Sequence, residues 1–104
     1  MNATRRLNAA VKTEVTADYN GLPHDRISEQ DGTAHVFTAG LPELEAWYIA
    51  LGGRLTRQPA PTGSGVTLWT LHTTTSPRDG TPVRVHALAL DTDQIDADIA
   101  HAVA

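Results

Sequence analysis

Five histidines, His24, His35, His72, His86 and His101, are the side chains of this chain best suited to move a proton or bind a metal near neutral pH. Their spacing fits no compact ligand motif, such as two histidines one helical turn apart flanking a glutamate. The plain reading of a half-exposed strand histidine is a ring that donates to a backbone carbonyl. Asp91-x-Asp93 begins like a calcium loop, but Ile95 stands at its fifth position, Asp96 where glycine is needed, and Ala102 where a bidentate glutamate closes the site. The hydroxyl run Thr73-Thr74-Thr75-Ser76 leads into Ser76-Pro77, a turn, and contains no nucleophile elbow. Gly63-x-Gly65 precedes a strand-like stretch rather than a helix, so it does not make a phosphate cradle. Cysteine is absent, which excludes disulfides, thiolate metal sites and a thiol nucleophile. With a single phenylalanine in the chain, Trp47, Tyr48 and Trp69 must supply most of the aromatic burial and read as core and rim. Together with His72 they are also the candidates for a ligand or partner pocket.

Positioning these residues requires a small set of elements. Residues 4 to 16 predict a helix capped by Thr4, with Leu7, Ala10, Val11 and Val15 on one face, ended by Asn20-Gly21-Leu22-Pro23. Residues 25 to 39 predict a hairpin turning at Asp31-Gly32, a pair favoured in type I′ turns. The Pro42–Leu51 stretch predicts a helix: Pro42 suits the first turn, Glu43 and Glu45 suit the dipole, and Leu44, Trp47, Tyr48 and Leu51 form a stripe stopped by Gly52-Gly53. Strands are expected at 54–58, 66–75 and 82–90, the last central or helix-covered because Leu88 and Leu90 interrupt its alternation. Asp93 opens a final helix with Ile95, Ile99 and Val103 on one face. The expectation is an α+β fold of order α-β-β-α-β-β-β-α, a mainly antiparallel sheet with helices packed on one face. One domain spans 1–104, with residues 1–20 expected as a mobile helix and linker.

Composition supports a globular chain, with 40% apolar and 19% charged residues. The net charge of −4 resides in the last fourteen residues, which hold Asp91, Asp93, Asp96 and Asp98 without a Lys or Arg. The balanced remainder lacks the basic footprint of a duplex-binding protein. Nucleic acid is therefore not an expected partner, Arg5, Arg6 and Lys12 marking the one segment that argues otherwise. No apolar run is long enough for a membrane helix, the first residues carry no secretory h-region, and a cytoplasmic, bacterial protein is the expectation.

Residues 35–46 and 86–97 align without gaps at an offset of 51, each reading His-x-apolar-x-apolar, a break, and an acidic helix entry ending in alanine. An Ala- and acid-rich strand–turn–helix produces a similar echo without any repeat. Over residues 34 to about 90 the chain resembles a single βαβββ module of the vicinal oxygen chelate superfamily, the glyoxalase and bleomycin-resistance type. The resemblance rests on Ala34-His35-Val36, Leu44-Glu45-Ala46 and Trp47-Tyr48-Ile49-Ala50-Leu51-Gly52. It implies a divalent metal held by His35 and His86, with Glu29 the one nearby carboxylate. The family builds its cavity from two modules and places a glutamate in a late strand. This chain has one module and no such glutamate, so a complete site would span two copies.

Two functional readings follow. The first is a small non-catalytic binding or regulatory domain, acting as a homodimer on a protein or small-molecule partner. The second is a metal-dependent chelate-type enzyme or ligand-sequestering protein with its site built across the dimer.

Overall fold

Asp31 and Gly32 both take positive φ, 54° and 80°, the conformation that reverses a chain tightly between twisted strands. The hairpin they join is the first sheet unit of a computed structural model that describes residues 8–59, 64–76 and 80–90. Helix α1 (Ala9–Asn20) precedes strands β1 (Arg26–Gln30) and β2 (Thr33–Phe37). Helix α2 (Leu41–Leu51) is followed by β3 (Arg54–Pro59), β4 (Val66–Thr74) and β5 (Pro82–Leu90). The five strands form one sheet in the order β1-β2-β5-β4-β3, antiparallel throughout except for the parallel pair β2 and β5. The α+β class and the mostly antiparallel sheet agree with expectation, and β5 is the central strand. Among the described residues there are two helices rather than three. The helix expected from Asp93, with Ile95, Ile99 and Val103, lies outside them.

The first helix begins later than its sequence pattern predicts. Asn8 caps it, its side chain accepting from the Val11 amide at 2.8 Å, and Thr4 and Leu7 lie outside the described residues. The buried face is Ala9, Thr13 and Ala17, while Val15 remains 58% exposed. Small residues at four-residue spacing let α1 lie close against β1, β2 and β5. The larger valines would hold it away, so the stripe of small side chains decides which face is buried. Gly21 ends the helix at φ 66°, its amide and that of Leu22 returning to carbonyls of the last turn.

Helix α2 has no side-chain cap, but Pro42 occupies the first turn and Glu43 faces the positive end of the dipole. Leu44 and Trp47 are fully buried, and Tyr48 and Leu51 pack against the same cluster. The helix lies on β4 and β5. Beneath the two helices, the strands contribute Ala34, Val36, Leu55, Trp69, Leu71, Val83, Val85, Ala87 and Ala89 to the core. Because strand side chains alternate between faces, the intervening residues all point the other way. No described element covers that second face.

Candidate functional site

The register assembles the uncovered face in rows that run across the sheet. One row holds Arg26 on β1, Phe37 on β2, His86 on β5, Thr70 on β4 and Thr56 on β3. The neighbouring row holds Ser28, His35, Arg84, His72 and Arg54 on the same strands in the same order. On the other side of the first row, Leu88 pairs with Leu68 and Leu90 with Val66. The face thus grades from apolar at one end of β5 to basic and histidine-rich at the other.

A chain of contacts links the two polar rows. His35 Nδ1 and His86 Nε2 are 2.9 Å apart and share a hydrogen bond, with their rings nearly parallel at 6°. The other ring nitrogen of His86 lies 3.2 Å from the Thr70 hydroxyl. A neutral His86 serves both contacts in either tautomer, accepting on one nitrogen and donating from the other. Phe37 stacks on His86 at 5.2 Å, and the Arg26 guanidinium lies 4.4 Å from the Phe37 centroid. His72 Nε2 is 3.0 Å from the Thr56 hydroxyl.

Electrostatics keep both sheet-centre imidazoles neutral. Burial lowers the His86 pKa from its ordinary 6.5, and neighbouring His35, His72 and Arg84 lower it further. His72 is lowered in the same order of causes, by burial and then by Arg84 and Arg54.

Beside His86 the face sinks into an open recess of about 560 Å³, lined by Asp25, Phe37, Thr38, Ala39, Leu68 and His86 with Ala87 and Leu88. Its walls are largely apolar, with an imidazole and a carboxylate as the ionisable groups, the composition expected of a small-molecule pocket. Thr38 anchors one side, its hydroxyl donating to the His86 carbonyl at 3.0 Å.

The residues singled out from the sequence divide between the two sides of the sheet. His35, His86 and His72 share the open face. Glu29 pairs with Ala34, which faces the helices, and so lies on the opposite side of the sheet from His35. It is not brought together with the histidines, and no group of three or more His, Asp or Glu among the described residues is arranged to hold a metal. Trp47 and Trp69 are buried under the helices and Tyr48 packs beside them, so none of the three lines the recess. His24 takes the plain role, Nδ1 donating to the Leu22 carbonyl at 3.2 Å, and His101 lies outside the described residues.

Phe37, Leu68 and Leu88 also line the recess, although no motif marks them. Leu88 carried a signal: an apolar residue on the polar side of an alternating strand, 60% exposed despite being leucine. The recess has no such one-dimensional signature for Asp25, which reaches it only because its amide donates to the Phe37 carbonyl at 2.8 Å. No protein-family model, no curated protein and no solved structure matches the chain.

Proposed function

We propose that this chain is a small binding domain without catalytic activity, and that its ligand is a small molecule seated in the recess on the open face of the sheet. The observation that carries this reading is the recess itself: about 560 Å³ of largely apolar surface beside a neutral, hydrogen-bonded His86. The site offers no activated nucleophile. The Thr70 hydroxyl touches His86, but Thr70 belongs to a central strand whose neighbours hold it in register. A homodimer is part of the proposal, since β1 and β3 are sheet edges with one strand neighbour each, where a second copy could pair.

Chemical-shift mapping of the labelled protein against a set of neutral aromatic fragments tests the site. Fragment binding should perturb the amides of Phe37, Leu68 and Leu88 together, and Leu88→Asp should abolish it. Binding that leaves those three amides unmoved would overturn the reading. Light scattering coupled to size exclusion tests the dimer, and a strict monomer at high concentration removes that part.

A second reading is favoured by one distance. Two imidazole nitrogens bound at a right angle to a metal, each at 2.0–2.1 Å, stand about 2.9 Å apart. His35 Nδ1 and His86 Nε2 have that separation, 2.9 Å. The run β2-α2-β3-β4-β5 is a βαβββ unit, which supports the resemblance to the vicinal oxygen chelate superfamily. With no third ligand among the described side chains, the two histidines of a second copy would complete the set. This reading expects one Ni, Zn, Mn or Fe per two chains, lost in His35→Ala or His86→Ala. A purified protein free of metal, with a melting temperature indifferent to added divalent ions, removes it.

A further inference from the structure

Charge is not spread evenly over the sheet. The open-face strand residues include Arg26, Arg54 and Arg84 with His35, His72 and His86, and no aspartate or glutamate. Of the acids on described elements, Glu14, Asp18, Glu43 and Glu45 belong to the helices, and Glu29 takes the helix-side register. Arg26 is engaged on Phe37. Arg54, His72 and Arg84 are adjacent partners on β3, β4 and β5, two guanidinium groups flanking a neutral imidazole across three strands. Burial, and after it Arg84 and Arg54, lower the His72 pKa. The three lie one row beyond His86, two strand residues or about 7 Å away. The arginine side chain is long enough to bridge one row.

We infer that the ligand is a small organic anion, with an aromatic or short aliphatic body in the recess on Phe37, Leu68 and Leu88 and a carboxylate or phosphate head on Arg84, His72 and Arg54. The inference rests on the recess being a ligand site, and adds the chemistry of what enters it. Two features fix the orientation. Asp25 lines the recess beside Phe37, to whose carbonyl its amide donates, and repels an anion there. Beyond the recess lining, one row past His86, the guanidinium groups of Arg84 and Arg54 offer charge-assisted, bidentate hydrogen bonds, and the half-buried setting of Arg84 strengthens its own relative to water. His86, held neutral between His35 and Thr70, forms the wall between body and head without contributing charge.

A matched pair of probes separates head from body: naphthalene-1-carboxylate, ionised at neutral pH, and the isosteric neutral naphthalene-1-carboxamide, each titrated calorimetrically at low salt. The carboxylate should bind about tenfold more tightly or better, as expected for a charge-assisted hydrogen bond. The advantage should shrink with added salt. Arg84→Gln should remove most of the carboxylate's advantage over the carboxamide, and Arg54→Gln part of it. Circular dichroism and the melting temperature report that the variants remain folded. Equal binding of the two probes to the unmodified protein would overturn the anion inference while leaving the recess as a neutral-ligand site. If neither probe binds, both fall.

Discussion

The indole Nε1 of Trp47 donates to the backbone carbonyl of Pro23 across 2.7 Å, tying the middle of α2 to the segment that joins α1 to β1. Trp47 is fully buried, so this bond satisfies a donor that water cannot reach. Trp47→Phe keeps much of the ring but leaves the Pro23 carbonyl without that donor, and should cost about 1–3 kcal/mol in urea unfolding. Trp47→Ala adds a cavity and should cost about 3–5 kcal/mol. A loss below 0.5 kcal/mol for the phenylalanine variant, roughly the floor for a native hydrogen bond, would show that the bond is not integral to the fold.

Thr13 presents the opposite case. It is fully buried where α1 faces the sheet, and its hydroxyl has no hydrogen-bond partner among the described residues. Valine has nearly the same shape without the unsatisfied oxygen. Thr13→Val should therefore stabilise the protein by about 1 kcal/mol, read as a raised denaturant midpoint at constant slope. Thr13→Ser, which keeps the oxygen and removes a methyl, should destabilise instead.

Gly53 links α2 to β3 at φ 119°, and a β-carbon there would run into the backbone carbonyl of His72. Neither the dihedral nor the space admits a side chain. Gly53→Ala should lower stability by about 2 kcal/mol or more, the combined effect of strain and overpacking. Gly32 in the β1–β2 turn also has positive φ but open space around it, so Gly32→Ala should cost less than Gly53→Ala.

Acidification should weaken the fold through the open-face histidines. The His86 pKa is lowered in the folded state, chiefly by burial and then by its cationic neighbours, and that of His72 likewise. The unfolded chain therefore binds more protons as pH falls below the ordinary value of 6.5. Stability is fully present above that pH and declines as pH drops through the folded-state values, where the slope ends. Protonated His86 also has no lone pair for either of its two contacts. Urea unfolding from pH 7.5 down to 5 should show this decline, and His86→Gln should flatten it. A slope unchanged in that variant would assign the effect to other groups.

Much of the architecture is legible in single stretches of sequence because it depends on neighbours a few residues apart. Asp31-Gly32 encodes its turn, Pro42 and Gly52 bracket α2, and the period-2 pattern of Val83, Val85, Ala87 and Ala89 marks one face of β5. The face of α1 was not legible. Both Ala9-Thr13-Ala17 and Val11-Val15 obey helical spacing, and only the closeness of the sheet selects the smaller set.

His35 and His86 are 51 positions apart, and their shared pattern marked them as comparable without saying that they touch. Their contact follows from a parallel pairing of β2 with β5, which exists because α2, β3 and β4 return the chain to the far side of β2. The antiparallel pairing of β1 with β2 separates Glu29 from His35 by a single step of register, enough to place it across the sheet. By itself, then, the sequence determined the local elements and the residue types available for chemistry. Strand order and register, which depend on long-range backbone pairing, decided which of those residues share the basic open face and its recess.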